Sequence, residues 1–544
     1  MKQPLAGGEP RRLPPEARRS RAAVDLAETA ELTIVVRSRG PEEEWRTLVE
    51  QATRGLPHER RYLTRAELAK QWAASPEDLE AVRKFAASQR LRVVSSDAFR
   101  RCVVVSGSLR QFARVFGVEL QGVRHPLGTF RTHRGVPHLP APLLPLVECI
   151  LGLDTLPAAR PHAAAAAGRG GMDRQALLDA YAVPKRLHGK GQCIAIIELG
   201  GGVHRSDLRQ YFRQLKLAPP KLRIRGIGEV KNNPVPRADI RKFLDGTLSG
   251  SDPSLQSQVE WTLETTTDVS IVGTFAPEAS ILLVLTSGSD QGQYHAVSSV
   301  IADTRNDPSV LSCSWGGPEY SQTPALMPAL DRWFQAAAVL GMTVCYSSGD
   351  MADGTGYVPA PPKRFIIQFP ASSPHVLTVG GTTLHPKAGT EIAWHQVRNG
   401  ELTGSGGGFS TFFPLPPWQR AAGISARQWI PRGAESGKGR AIPDIAAKAN
   451  MESAYSVIVG GVEAPAGGTS TAAPIWAALA ALLNEGTKSR LGLLHAPLYD
   501  GTLAPGLRDI VKGNTGQFHA CKGWDACTGW GSPKGETLVR LLRG

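Results

Sequence analysis

The sequence predicts an α/β protein whose larger part is a doubly wound parallel sheet, preceded by a smaller α+β unit. Three observations indicate this organisation. At 544 residues the chain is too long for one ordinary domain. From residue 172 onward, short and nearly continuous apolar runs alternate with helical segments, as in parallel sheets that are covered on both faces. An Ala- and Gly-rich segment, residues 157–171, separates this part from the smaller unit.

The N-terminal part contains a tail and then the smaller unit. Residues 1–30 are rich in Arg, Pro, Ala and Glu, and we predict that they form a disordered tail. In the unit itself, residues 31–156, alternation predicts strands and helical periodicity predicts helices. The predicted strands are 31–37, 91–94 and 101–106, and the helical stretches are 65–88 and 109–116. We predict that the linker 157–171 is exposed and open to proteolysis.

The larger unit, residues 172–544, contains five apolar runs that we predict to be parallel strands. These runs are 193–199, 281–285, 310–315, 343–347 and 376–379. Helical segments fall between them, for example at 291–303 and 325–340. In sheets of this kind the functional site lies at the carboxyl ends of the strands.

Composition and charge restrict the partners of the chain. With 42% hydrophobic and 20% charged residues, the composition is that of a soluble globular protein. The formal charge of +14 is spread along the chain without a dense basic block, so we expect no nucleic-acid binding. The longest apolar run, 472–483, has about half the length that spans a bilayer, so we expect no membrane association. The N-terminus has no apolar core of an ordinary secretory signal. We expect a monomer.

A candidate nucleophile, Ser470, lies in the segment 467–474 (GGTSTAAP). The glycines permit a closely approached backbone, and the Ala-rich run begins a helix that tolerates Pro474 in its first turn. Backbone N–H groups at a helix N-terminus favour developing negative charge, which is the placement that acyl transfer needs. The alternative is that Ser470 or Thr469 merely caps the helix.

Candidate acids lie on a predicted helix and at a strand end. Residues 258–275 read as a helix that places Glu260, Glu264 and Asp268 on one face. Either this is an exposed acidic face, or one carboxylate takes the proton of the nucleophile while the next orients it. Asp350 follows the strand 343–347; it makes a turn or, kept protonated, donates to an oxyanion.

These segments together resemble the sedolisin (serine-carboxyl peptidase) family. GGTSTAAP resembles the SGTSxxxP signature of that family, with Gly467 in place of its usual first serine. Glu264 and Asp268 look like the ExxxD helix, and residues 347–350 (SSGD) look like the AAGD oxyanion-hole segment. Residues 192–202 (QCIAIIELGGG) and 314–319 (SWGGPE) are similar to kumamolisins in particular.

The resemblance implies a mechanism and a zymogen. Ser470 would be the nucleophile, Glu264 the general base and then acid, Asp268 the supporting acid and Asp350 the oxyanion-hole donor. Glu198 and Trp315 would extend the hydrogen-bond network. The family implies a subtilisin-like catalytic domain over 172–544, a ferredoxin-like propeptide over 31–156 that inhibits and chaperones the enzyme, and processing within 157–171. The substrate would be a polypeptide, cleaved internally at acid pH by a secreted enzyme.

The C-terminal segment resembles the single structural calcium site of the family. Its ligands would be the carboxylates of Asp509 and Asp525 and the carbonyls of Ile510, Cys521 and Gly523, a set of oxygens that suits Ca²⁺. Cys521 stands where kumamolisins have glycine. The alternative is that the two aspartates only form turns.

The seven cysteines do not indicate zinc. Most of them lie in apolar runs and read as buried thiols. Cys521 and Cys527 are loop neighbours that could pair, and a paired CxxC pattern does not occur in the sequence.

Two other interpretations explain part of these observations. A subtilisin-type peptidase shares the GTSxxxP motif but needs a histidine base, typically within HGTH, and none of the 13 histidines lies in such a segment. A catalytically inactive relative that only binds polypeptide would not need the intact Ser470, Glu264, Asp268 and Asp350.

Overall fold

The structure is a computed structural model. It describes residues 2–20, 24–162, 164–165, 174–248, 253–354, 365–385, 389–398, 401–430, 436–452 and 454–543. Within these ranges we find no helix with the length and apolar character needed to cross a membrane.

The larger unit is built on an eight-stranded sheet, which confirms the predicted α/β class. Its path is Lys221–Gly226, Ser280–Leu285, Cys193–Glu198, Val310–Cys313, Thr343–Ser347, Leu377–His385 and Thr390–Ala393, with Ile445–Lys448 pairing alongside Leu377–His385. All pairs are parallel except the one formed by Thr390–Ala393. The five predicted apolar runs all contribute to this sheet.

The apolar runs are continuous because both faces of the sheet are covered. Along Cys193–Glu198, Ile194 and Ile196 join the core beneath the helices Pro253–Phe275 and Thr469–Thr487. Ala195 and Ile197 join the opposite core, beneath Asp290–Ile301 and Leu326–Val339. Successive side chains of a strand point to opposite faces, so a strand between two helical layers needs apolar residues at every position.

The order of the strands marks the place of the site. Cys193–Glu198 comes first in the chain, yet it lies between Ser280–Leu285 and Val310–Cys313. Later strands are therefore added on both sides of this strand. At such a reversal of strand order a crevice opens at the carboxyl ends of the strands. Glu198 is the last residue of that strand.

Smaller elements surround the sheet. The further helices are Arg174–Ala180, Arg205–Gln214, Arg237–Leu244, Pro417–Ala421, His495–Tyr499 and Gly535–Arg543. Two antiparallel hairpins flank the sheet, Tyr455–Val459 with Val462–Gly467 and His395–Arg398 with Glu401–Gly404. All seven cysteines are free thiols; six are buried and Cys521 is exposed, so Cys521 and Cys527 are not paired.

The smaller unit is an α+β domain, as predicted. Its four-stranded sheet has the order Arg92–Asp97, Cys102–Ser108, Thr29–Val36 and Val147–Leu151, and its helices are Glu42–Thr53, Arg65–Trp72, Pro76–Ser88 and Leu109–Phe116. The stretch 65–88 is two helices because Ser75 caps a new helix that begins at Pro76. The central strands Thr29–Val36 and Cys102–Ser108 run antiparallel. The first and third strands of the unit are therefore central and the second and fourth lie at the edges, which is the order of a ferredoxin-like β-α-β-β-α-β sheet, as predicted.

The N-terminal segment differs from the predicted disordered tail. Lys2–Pro4 pairs with His138–Pro140, and Arg18–Arg19 pairs with the strand Glu119–His125. Arg11 is buried, donates to the carbonyl of Leu156 and forms an ion pair with Asp154 at 3.0 Å. The composition of this segment predicts disorder, but the smaller unit provides acceptors for its basic side chains. These acceptors are distant in the sequence, so no local pattern indicates them.

The smaller unit packs on one helical face of the larger one. The ring of Trp72 lies 4.6 Å from that of Trp333, and the indole N–H of Trp45 donates to Gln335. The N–H of Gly152 donates to the buried carboxylate of Asp290 at 3.1 Å. This packing brings the chain, at residue 157, to the carboxyl edge of the sheet. Residues 163 and 166–171 of the predicted linker, and the predicted domain start at 172, lie outside the described residues.

Candidate active site

The linker crosses the carboxyl edge of the sheet in extended form. Arg160–Pro161 pairs antiparallel with Trp315–Pro318, and Ala164–Ala165 pairs antiparallel with Val462–Gly467. Between these pairings the N–H of His162 donates to the carbonyl of Ser314 at 3.1 Å. Where it is described, this segment is therefore held between two strands, whereas the sequence predicts an exposed linker. A polypeptide substrate adds to a sheet edge in the same way.

Ser470 lies in the first turn of the helix Thr469–Thr487, which begins directly after Gly468. Gly468 has φ +97°, and a Cβ there would lie 1.9 Å from the carbonyl oxygen of His162 and 2.4 Å from Oδ2 of Asp350. Only glycine allows the backbone to come this close. The carbonyl of His162 is thus held at the N-terminus of the helix that carries Ser470.

Glu264 and Asp268 lie on the helix Pro253–Phe275, which packs against the helix of Ser470. Both side chains are fully buried, so this is not an exposed acidic face. Burial first, and then the charge of Asp268, raise the pKa of Glu264 well above its usual range, while the nearby hydroxyl of Ser470 lowers it. Among the residues that the structure describes, neither carboxyl oxygen of Glu264 has a partner that makes a well-formed hydrogen bond. Glu260, one turn earlier, is half-buried beside Gln256.

Asp268 and Glu198 form the next layer of the site. Oδ2 of Asp268 accepts from the hydroxyl of Ser314 at 2.8 Å, and Oε2 of Glu198 accepts from the indole N–H of Trp315 at 2.7 Å. Burial raises the pKa of Asp268 to about 8, and burial together with the charge of Asp268 raises the pKa of Glu198 well above its usual range. Adjacent buried carboxyls cannot all be ionised, so the cluster holds shared protons.

Asp350 follows the strand Thr343–Ser347, as the sequence predicts. Its Oδ1 accepts from the N–H of Thr469 at 2.8 Å and from its hydroxyl at 2.7 Å. Burial raises the pKa of Asp350 to about 7. Because Oδ1 already receives two donors, a proton on this carboxyl belongs on Oδ2. Both Oδ2 and the carbonyl oxygen of His162 lie within 2.4 Å of the point that a Cβ of Gly468 would occupy. A protonated Asp350 can therefore donate to an oxyanion at that carbonyl.

Three residues of the site were not singled out from the sequence. Ser314 orients Asp268, and it could have been found because it directly precedes Trp315 at the end of a predicted strand. His162 and Gln368 meet only in the folded molecule, and no local pattern marks either of them. The six residues predicted to carry the chemistry or extend its network all lie together at the carboxyl edge of the sheet: Ser470, Glu264, Asp268, Asp350, Glu198 and Trp315.

The residues predicted to bind calcium meet in one loop at the C-terminal end. The N–H of Gly523 donates to Asp509 at 2.9 Å, and the N–H of Cys521 donates to Asp525 at 3.1 Å. Asp525 is fully buried, which raises its pKa to about 7, and Ile510 next to Asp509 is also buried. In the described part of the chain no three His, Cys, Asp or Glu side chains are placed to hold a metal ion. A site of two carboxylates and three carbonyls does not need such a cluster.

Comparisons with known proteins relate both units to one group of peptidases. The family profile "Pro-kumamolisin, activation domain" matches residues 17–156, and the profile "Subtilase family" matches residues 259–500. Kumamolisin from Bacillus sp. (strain MN-32) is 35% identical over 570 residues, which cover 99% of this chain and 96% of kumamolisin. Tripeptidyl-peptidase 1 of Canis lupus familiaris is 34% identical over 256 residues, 43% of either chain.

A solved structure extends the comparison to the fold. Pseudomonas sedolisin, a serine-carboxyl proteinase complexed with two molecules of pseudo-iodotyrostatin, matches with a TM-score of 0.56 and 27% sequence identity. The match covers 69% of this chain and 99% of the sedolisin chain. The eight-stranded unit thus corresponds to a whole peptidase, and the smaller unit precedes it.

Proposed function

The chain belongs to the sedolisin family of serine-carboxyl peptidases, in which it is similar to kumamolisin along its whole length, and we propose that it is an endopeptidase that acts at acid pH. It is a serine-type peptidase made with its own propeptide. The observation that carries the proposal is the position of the His162 carbonyl. That carbonyl lies against Gly468 at the N-terminus of the Ser470 helix, on the side that Oδ2 of Asp350 also faces, where an extended peptide crosses the sheet edge.

In the proposed mechanism Ser470 attacks the substrate carbonyl and Glu264 takes its proton. The oxyanion that forms is stabilised by the protonated carboxyl of Asp350 and by the backbone N–H of Ser470. Glu264 then returns the proton to the leaving amine, which frees the C-terminal product and leaves an ester on Ser470. Water, activated by the same carboxylate, hydrolyses that ester.

Asp268, Glu198 and Trp315 act through Glu264. Ser314 fixes Asp268, and Trp315 fixes Glu198, by the hydrogen bonds described above. We assign Asp268 the role of orienting Glu264 and sharing its proton, with Glu198 and Trp315 supporting Asp268. In the described structure the ionisable group beside the hydroxyl of Ser470 is the carboxyl of Glu264, which favours this mechanism over a subtilisin-type one with histidine.

We propose that the smaller unit is both a folding aid and an inhibitor, because its linker occupies the cleft that a substrate needs. The chain cleaves itself at the linker when the pH falls, and it acts outside the cell or in an acid compartment. The geometry points to the peptide bond that follows His162, because the carbonyl of that bond lies beside Asp350.

Acidification of the purified full-length chain tests the processing step. We expect a first new N-terminus at Ala163, with any later trimming confined to residues 157–185. N-terminal sequencing and intact mass, followed together with hydrolysis of a denatured protein, measure both events. A fully active enzyme that still carries residues 31–155 covalently attached would contradict the zymogen proposal.

The C-terminal loop fits one structural Ca²⁺ ion. Asp525 is a buried carboxylate that forms no ion pair within the described residues, and its loop folds back onto Asp509. A bound cation would favour the charged form of both carboxylates. We propose that Asp509 and Asp525 bind it through carboxylates and Ile510, Cys521 and Gly523 through carbonyls. The ion would stabilise the fold and take no part in the chemistry, because these residues belong to a loop apart from the catalytic cluster.

Removal of Ca²⁺ should lower the melting temperature of the wild type. An ion that binds only the folded state stabilises it by about 2.7 kcal/mol at 100 times its Kd. Asp525→Asn and Asp509→Ala should melt lower and lose the response to Ca²⁺, while Asp500→Asn, at an exposed aspartate that is not one of the proposed ligands, should retain it. Calorimetry with added Ca²⁺ and with EGTA measures this. An identical wild-type melting temperature in both conditions would exclude the site.

A further inference from the structure

The side chain of His162 fills a closed pocket beside the reacting carbonyl. Only about 5% of His162 is exposed. Two glycines line the pocket, and their backbone comes close to the side chains inside it. A Cβ on Gly316 would lie 2.9 Å from Cε1 of His162, and a Cβ on Gly349 would lie 2.4 Å from the Gln368 amide. In the proposed cleavage His162 is the P1 residue, the one directly before the cleaved bond. This pocket therefore binds the P1 side chain.

The end of the pocket is polar and uncharged. The hydroxyl of Ser347 lies 2.7 Å from Nδ1 of His162. On the other side, Oε1 of Gln368 and the carbonyl of Gly316 lie beside the ring, and within the described residues both Oε1 of Gln368 and Nε2 of His162 are buried without a well-formed hydrogen bond. Ser347 and Gln368 are themselves 1% and 3% exposed. Within the described residues the hydroxyl of Ser347 therefore has the P1 imidazole as its partner, and Oε1 of Gln368 is left for a donor on the other side of the P1 side chain.

The hydroxyl at position 347 is a departure from the family segment that this stretch resembles. That segment reads AAGD, and this chain reads SSGD at residues 347–350. The two serines are not equivalent in the fold. Ser347 contacts the imidazole, whereas the buried hydroxyl of Ser348 makes no hydrogen bond within the described residues. Ser348 is thus a matched control for Ser347.

We propose that Ser347 and Gln368 make the enzyme select a P1 side chain that forms hydrogen bonds on two sides. Histidine is the preferred P1 residue, and glutamine is the next. An apolar P1 side chain such as that of leucine would leave the polar groups of Ser347 and Gln368 buried without hydrogen bonds. Leaving a buried polar group unpaired costs more free energy than its hydrogen bond contributes to binding. The inference rests on the proposed function, since it names the substrate preference of that same site.

Peptides test this preference directly. The series Ala-Ala-Arg-Pro-X-Ala-Ala-Ala, with X as His, Gln or Leu, keeps the flanking residues of the linker. The mature enzyme should cleave the His and Gln peptides with higher kcat/KM than the Leu peptide. In Ser347→Ala the His-to-Leu ratio should fall about tenfold, the size of one lost hydrogen bond, and in Ser348→Ala it should not change. Gln does not titrate, so it separates hydrogen bonding from protonation of the peptide.

Two results would overturn the inference: a wild type that prefers Leu, or a ratio that Ser347→Ala leaves unchanged. If no peptide is cleaved by the wild type, the proposed function fails instead. The pairing is then still measurable in the uncleaved full-length chain, as a double-mutant cycle of Ser347→Ala and His162→Leu on its unfolding in urea. Strictly additive effects in that cycle would also reject the contact, and non-additive effects would support it.

Discussion

Ser470→Ala is expected to abolish peptide hydrolysis and to leave a folded chain that stays at full length after acidification. Ser470 is the only group in the proposed mechanism that forms a bond to the substrate, so nothing replaces it. Loss of the nucleophile of a serine peptidase lowers kcat by about 10⁶-fold, and the small residual rate comes from binding and the oxyanion hole. The folded state should survive, because the change removes one oxygen from a buried site whose hydroxyl makes no well-formed hydrogen bond within the described residues.

The decisive measurement is the intact mass of the variant after hours at acid pH, together with its rate on a denatured protein. Ser348→Ala is the matched control, because it removes a buried hydroxyl close to the same site and should process normally. Cleavage of the Ser470→Ala chain by added wild-type enzyme would show whether processing in the mixture is intermolecular. Turnover of Ser470→Ala at the wild-type rate would reject the assignment of the nucleophile.

The sheet and the catalytic side chains could be predicted because each is encoded locally. Continuous apolar runs such as 193–199 fix buried strands, and Asp350 follows one of those runs directly. Glu264 and Asp268 are one helical turn apart, so any helix there places them on the same face. For these positions a short stretch of chain already contains the physical reason for the structure.

The N-terminal segment and the linker could not be predicted because their order depends on distant partners. Arg11 is buried only because Asp154 and the carbonyl of Leu156 face it. His162 is held by Ser314 and Ser347, which lie more than 150 residues further along the chain. Composition alone described both segments as exposed, and long-range pairing reversed that description.

The second large effect concerns pH, and its sign follows from the two roles assigned to carboxyl groups. Glu264 must be ionised to accept the proton of Ser470, so activity should fall when acid protonates it. Its raised pKa moves this acid limb upward from the usual range of a glutamate. Asp350 must be protonated to donate to the oxyanion. Its pKa of about 7 places the alkaline limb near neutrality, above which an ionised Asp350 would repel the developing charge.

The expected profile of kcat/KM is therefore a bell with its maximum on the acid side and little activity above neutrality. The acid limb belongs to the coupled Glu264–Asp268–Glu198 cluster as a whole, since their protons are shared. One peptide measured from about pH 2 to 9 gives the profile. A histidine base, with its usual pKa of about 6.5, would give the opposite order, with activity rising toward and above neutrality. A wild-type maximum above pH 7 would therefore reject the carboxyl mechanism.

Asp350→Asn isolates the alkaline limb. An amide donates a hydrogen bond at every pH, but it is a weaker donor than a carboxylic acid, and loss of one oxyanion-hole donor costs about 10²- to 10³-fold in kcat. We expect Asp350→Asn to be slower at the optimum and to lose most of the decline above pH 7, while Asp350→Ala is slower still at all pH values. The acid limb should stay in place in both variants, because it belongs to Glu264. If Asp350→Asn kept the alkaline decline unchanged, that limb would have to arise from another group, and Asp350 would not be the proton donor to the oxyanion.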